Sequence, residues 1–488
     1  MKMKIQNGLV FAIYALILGA FVGVVTFIFL KLMNYGIDFF WVYLPGQVNF
    51  VYLPIVICAI GGVFVGLTKK MYGNQPPTLS VALMEAQKNK RVEYKNLPSV
   101  VLCAFIPLIF GGSIGPEAAL VAILGSLCTW IGDHVKASAK SVQALSEIGM
   151  AATLGALFGS PFFGVAKTVE EEEEANILFA KEVEEKKFKA ETKAEEKSGY
   201  VESDDDFRKK AEFEDDFEKI LDKDEDFVIP KQSKMYIYIL AAIAGFGTYF
   251  LLTSWFPTGG FYRYDYAGIG INEILALLPL AVVGVLGAWL YFTFGYLIKK
   301  AIKPVLKYKI LLAVVGGIAL GAIGILLPYT MFSGEKQIGE MAMNWTMLTT
   351  AVLLLTVIGK LFITRFCIMT GWRGGQIFPV IFSGIVLGYV IASVFPIDPI
   401  FCAAIVSVSL TTVILRKPAA VVILFIIIFP IGYIIPLAAA SIISNFIPVP
   451  KFLAKSEKED FEAEYKETMR LTEKALERPE LAEKQQAA

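Results

Sequence analysis

Apolar runs recur from residue 8 to residue 447, and charge interrupts few of them. Gly8–Leu32 and Phe50–Leu67 come first; later runs cover 235–253, 272–298, 309–328, 346–369, 377–395, 400–413, 418–428 and 430–447. About 20 apolar residues in a helix cross a bilayer. Within hydrocarbon, only helices and closed barrels satisfy their own backbone N–H and C=O groups. Runs this long, in a chain that is 56% hydrophobic, read as an all-α polytopic membrane protein.

Several runs are too short to span and are punctuated by Gly and Pro. Val81–Ala86 follows Asn74-Gln75-Pro76-Pro77 and reads as a re-entrant half-helix. Short broken pieces of this kind gather around a central site in transporter folds. One such piece starts inside residues 111–125, at Gly-Gly-Ser-Ile-Gly-Pro, and residues 374–379 repeat the pattern as Gly-Gly-Gln-Ile-Phe-Pro. Pro suits a first helical turn. The free N–H groups and dipole of such a helix start favour an anion without a full positive charge. Two copies of the pattern suggest an internal repeat with a site where broken helices meet.

Charge divides the chain into parts. Residues 1–169 read as a first transmembrane repeat and 234–450 as a second. Between them, 170–233 opens on Glu170 to Glu174 and continues with dense Lys, Glu and Asp, which reads as a cytoplasmic insertion. Residues 451–488 read as a charged cytoplasmic tail, helical in pattern and solvated. Basic patches at the N-terminus, 69–70, 88–95 and 299–309 put those loops and both termini on the cytoplasmic side of a multi-pass cell-membrane protein. The 45 basic and 45 acidic residues cancel, so net charge points to no polyanionic partner such as nucleic acid. Five cysteines in apolar segments and a lone His134 suggest no metal site, no disulfide framework and no cofactor. The absence of HExxH, of a phosphate loop and of a Ser/His or Cys/His constellation argues against an enzyme.

Residues 8–455, less the insertion, resemble the CLC chloride channels and chloride/proton antiporters. The family's Gly-Ser-Gly-Ile-Pro falls on Gly73-Asn74-Gln75-Pro76-Pro77. Its Gly-Arg/Lys-Glu-Gly-Pro falls on Gly112-Ser113-Ile114-Gly115-Pro116, and its Gly-x-Phe-x-Pro on Gly375-Gln376-Ile377-Phe378-Pro379. Leu157–Gly164 and Leu415-Arg416-Lys417-Pro418 match two further stretches. The resemblance implies a CLC-type inverted repeat of broken and tilted helices, about 16–18 per subunit. It also implies a homodimer in a lipid bilayer, with a pathway for a small inorganic anion, chloride first, in each subunit. The pore residues it implies are Asn74, Gln75, Ser113, Ile114, Gly115, Gln376, Ile377 and Phe378. Phe452 is nearest the family's coordinating tyrosine but has no hydroxyl.

One departure bears on mechanism. Ile114 stands where the family has its gating, proton-carrying glutamate. The expectation is therefore a channel-like, uncoupled anion pathway. The alternative is a proton-coupled antiporter using Glu117, in the first turn after Pro116, and Glu171, at the family's internal proton-transfer position. A reading of another class is a non-conducting membrane protein that binds a partner through 170–233. Lys167 is expected to snorkel to the membrane surface. Arg373, Arg416 and Lys417 flank the second-half motifs and are candidates for a positive vestibule.

Overall fold

The apolar runs are helical in the computed structural model, which describes residues 2–89, 91–134, 139–170, 231–256 and 262–486. Seventeen helices of ten residues or more are present among the described residues, within the range the sequence implies. Residues 2–170 contribute α1 (Lys2–Asp38), α2 (Leu53–Tyr72), α3 (Leu79–Asn89), α4 (Leu97–Ile109), α5 (Glu117–His134), α6 (Ala139–Leu157) and α7 (161–170). Residues 231–446 contribute α8 (Lys231–Trp255), α9 (Ile271–Ile302), α10 (Lys309–Leu326), α11 (Glu335–Asn344), α12 (Thr350–Thr370), α13 (Ile377–Ala392), α14 (Pro399–Leu415), α15 (Pro418–Ile428) and α16 (Ile434–Phe446). Helix α17 (Lys451–Gln486) comes after α16 across a 95° bend.

Six helical spans among the described residues are long and apolar enough to cross a bilayer alone. Helices α4, α13, α14 and α15 are apolar but shorter, and α5, α13 and α14 are buried along almost their whole length. The long helices thus form a wall, and the short ones meet inside it. Helix α1 packs along α8 and α2 along α10. Small residues allow the close α2–α10 approach: a Cβ on Gly62 would run into the backbone of Ala313 and Val314. All five cysteines are buried.

The two halves share a backbone register that the sequence echo misstates. Residues 111–120 and 371–380 show the same succession of turn, bridge and helix, an offset of 260 positions. Gly111 and Gly371 both adopt positive φ, 86° and 109°, where a side chain would be strained. The repeated Gly-Gly-x-Ile-x-Pro string is offset by 263 and lies three residues out of step. Backbone geometry, not residue identity, carries the repeat here. Its true pairs are Gly115 with Gly375, Pro116 with Gln376, and Glu117 with Ile377.

Helix α1 continues past Asp38 through short helical turns to Gln47. Two other expectations need correction. The half-helix expected at 81–86 is longer, beginning at Leu79. The tail is helical as expected but not solvated throughout. Tyr465 and Met469 of α17 are buried against Val81 and Met84 of α3.

Candidate functional site

The starts of α5 and α13 face each other. An isolated antiparallel bridge joins the strings before them: Gly115 N–H donates to Gly375 O at 2.8 Å, and Gly375 N–H to Gly115 O at 2.7 Å. This exchange satisfies buried backbone groups that no helix can serve. It also holds the two positive helix ends together in the interior.

A carboxylate lies between them. Glu117 is fully buried, and its Oε1 accepts from the Ile377 N–H at 2.7 Å. The N–H groups of Phe378 and of Glu117 itself lie by the same carboxyl group. Its second oxygen, Oε2, has no hydrogen-bond partner among the described residues. Glycine makes this possible: a Cβ on Gly115 would strike the Glu117 carboxyl, and so would one on Gly375. Glu117 therefore puts an anionic group on the N-terminus of its own structural counterpart, Ile377. A buried carboxylate is tolerable only with such donors.

Neighbouring residues fix the frame. Ile114 is fully buried and packs against Gly374. Phe378 is buried and stacks on Phe158 of the α6–α7 turn, ring centroids 4.8 Å apart. Ser113 Oγ pairs with Thr364 Oγ1 of α12 at 2.9 Å. Gln376 Oε1 accepts from Tyr291 OH of α9 at 2.6 Å. The Arg365 guanidinium lies 4.8 Å from the Tyr291 ring centroid.

A cavity of about 750 Å³ leads to Glu117, Gly375 and Ile377. Asn74, Thr78 and Gln376 line it, with Lys69, Lys167, Arg365, Arg373, Arg416 and Lys417 among its cations. Lys167, expected at the membrane surface, is only 2% exposed and belongs to this wall. Eight cations against five acids, Glu117, Glu457, Asp460, Glu464 and Glu467, leave the wall net positive, which favours anions.

The structure brings Ile114, Gly115, Glu117, Gln376, Ile377 and Phe378 together, with Ser113 just behind. Asn74 reaches the cavity, where its Nδ2 donates to Glu467 of α17 at 2.6 Å. Gln75 faces a separate small pocket shared with Glu85. Phe452 is 57% exposed, meets Tyr296 edge-on and is not part of the cavity wall. Glu171 and most of the 170–233 segment lie outside the described residues.

Sequence reading missed Tyr291, Lys360 and Arg365. The Lys360 ammonium, fully buried, donates to Met331 O at 2.8 Å and Phe332 O at 2.7 Å. The signal was available for the two cations, because both interrupt the apolar run 346–369 and intramembrane charge is functional by default. Tyr291 gave none: it sits in an apolar run among other aromatics.

Comparison with known proteins agrees with this geometry. The family model described as "Voltage gated chloride channel" matches residues 56–177 and 229–448. A protein named YfeO, provisionally described as an ion-transport protein, is 22% identical in Escherichia coli O7:K1, with 81% of this chain and 82% of that one covered. Its Salmonella paratyphi A counterpart is 25% identical, over 79% and 81%. Among solved structures, a slow cyanobacterial Cl⁻/H⁺ antiporter aligns with a TM-score of 0.67 and 16% identity, covering 96% of this chain and 98% of its own. A CLC-type fluoride/proton antiporter aligns with a TM-score of 0.64 and 18% identity, over 90% and 95%. The fold is the one these structures share. With the family model matched over more than half its length, the chain belongs to the voltage-gated chloride channel (CLC) family.

Proposed function

We propose that this protein exchanges a small inorganic anion, chloride first, for protons across the cell membrane, with the Glu117 carboxylate as its gate. One observation carries the reading: Glu117 Oε1 accepts the Ile377 N–H at 2.7 Å, on the helix start where an anion would sit. A carboxylate there is a tethered competitor. Two unit charges 4 Å apart repel by about 4 kcal/mol at an effective dielectric of 20, so the anion and the ionised carboxylate exclude each other. Protonation removes that repulsion and frees the helix start. The anion and the seated, ionised carboxylate are then alternatives at one site, and proton uptake or release by Glu117 decides between them, which is the coupling that exchange requires.

The test is anion efflux from liposomes with chloride, fluoride, bromide and nitrate, recording pH at the same time. Wild type is expected to move protons against the anion. Glu117→Gln is expected to keep anion flux and lose proton movement. Wild-type flux without proton movement would sink the coupled reading in favour of a passive channel. That second reading draws support from Ile114, which fills the family's gating position with a side chain that cannot ionise. Glu171→Gln, assayed in the same way, tests the remaining proton candidate. We infer a homodimer from the family resemblance. Helix α16 exposes Ile435, Ile442 and Phe446, an apolar face that a second subunit or lipid would cover.

A further inference from the structure

The wall of the cavity has an unexpected source of negative charge. The membrane helices and their loops supply seven basic residues and a single acid, Glu117. Helix α17 adds one lysine and four acids: Glu457, Asp460, Glu464 and Glu467. A solvated tail helix has no reason to aim its acids at one concave surface. These acids recur at intervals of three or four residues, so they form one face of the helix.

Each acid of that face has a specific partner. Glu457 pairs with Arg365, and Asp460 with Lys299 at 2.7 Å. Glu464 Oε1 takes the Thr78 N–H at 2.8 Å and the Arg373 guanidinium at 3.1 Å. Glu467 takes the Asn74 amide at 2.6 Å. Thr78 is the residue before α3, so Glu464 caps a third helix start of the cavity, as Glu117 caps α13. Apolar packing of Tyr465 and Met469 on α3 holds the helix in register for these contacts.

We propose that α17 is an autoinhibitory plug whose Glu464 and Glu467 carboxylates occupy the anion donors at the mouth of the cavity. This rests on the anion-transport reading above and adds a regulator to it. An anion reaching α3 has to displace Glu464 from Thr78 and Arg373. Docked, the helix also cancels much of the positive field that would draw anions in. Conditions that undock α17, such as binding of its acidic face by a polycationic partner, then raise transport.

The experiment compares wild type with E464Q/E467Q and E464K/E467K in liposomes. A spin label on Lys466→Cys, an exposed α17 position, reports docking independently of flux. The native cysteines are all buried, so the label is site-selective. If the docked state is about ten times more populated than the free one, release raises anion flux by up to about tenfold. The expected result is a graded rise from Gln to Lys, with the label gaining mobility in the same order. Equal flux in all three proteins overturns the plug while leaving the transport reading intact, whether or not the label moves. A rise in flux with the label still immobile overturns it as well. Absence of flux from every protein overturns the transport reading and the plug together.

Discussion

The two halves of this protein present the same backbone at the site and different chemistry on it. Offset by 260 residues, α4 and the start of α5 correspond to α12 and the start of α13. In that register Val100 corresponds to Lys360, Ala104 to Thr364 and Phe105 to Arg365. The first half is apolar at these positions and contributes the one carboxylate, Glu117. The second half carries Lys360 and Arg365 there and offers the helix start whose Ile377 N–H Glu117 takes. A pseudo-symmetric frame thus holds an asymmetric site, with the anionic group of one half seated on the N–H groups of the other. The difference teaches that the repeat supplies geometry, and single substitutions within it supply polarity.

The most damaging way to break this arrangement is to fill the space between the halves. Gly375→Ala puts a methyl group where the Glu117 carboxyl lies. Overpacking of this kind costs about 1–3 kcal/mol, and expelling the carboxylate from its donors adds to that. We expect transport to fall by at least about tenfold, equivalent to about 1.4 kcal/mol, with thermal unfolding in detergent shifted clearly downward. The cause is checked with Glu117→Ala. In that background Gly375→Ala should cost markedly less, because residues in contact couple. Equal losses in both backgrounds would show that the glycine matters for the backbone bridge and not for the carboxylate.

Lys360 is the next asymmetry to test. Its ammonium ties down the carbonyls of Met331 and Phe332, and the Phe332 N–H reaches across to Gly111 O of the first half at 3.1 Å. Phe332 has φ 58°, a strained conformation for a bulky residue that its surroundings must impose. Lys360→Met leaves two buried acceptors without donors, at about 2 kcal/mol after the relief of unburdening a buried charge. The expected readout is a lower unfolding temperature and faster proteolysis at 331–334. The corresponding first-half change, Val100→Ala, should lower stability less and leave that turn protected. If the two variants behave alike, Lys360 is a filler and not a clamp.

Legibility in the sequence tracked the physics of each level. Bilayer crossing depends on summed hydrophobicity, which a one-dimensional reading captures, so 418–428 and 309–328 correspond closely to α15 and α10. Helix starts at Pro and Gly were legible for the same local reason. The repeat was found but misregistered by three residues, because Gly-Gly-x-Ile-x-Pro matches letters while the backbone matches φ at Gly111 and Gly371. Ile114 was identified as the departure from the family pattern, with Glu117 beside it as a substitute. That the Glu117 carboxyl meets the Ile377 N–H, 260 residues away, depends on a bridge no local pattern encodes. The tail was misjudged for a related reason: a charged helix looks the same in sequence whether water or a basic cavity faces it.

The smallest expected effect concerns the residue directly after each bridging glycine. In the first half it is Pro116, which has no N–H and no side-chain hydrogen bond to satisfy. In the second it is Gln376, whose Oε1 receives the Tyr291 hydroxyl at 2.6 Å. Tyr291 in turn lies against Arg365, which α17 holds through Glu457. Tyr291→Phe removes one neutral hydrogen bond, about 1 kcal/mol, which is about fivefold in an equilibrium constant. If Tyr291 orients Gln376 at the helix start, that loss should weaken half-saturation by the anion by up to about fivefold and lower stability by no more than about 1 kcal/mol. A matching change in stability with no change in half-saturation would make the hydroxyl a packing element of α9. Unaltered values of both would mean that the two halves need no polar support at this position, with Gln376 as indifferent to a partner as Pro116.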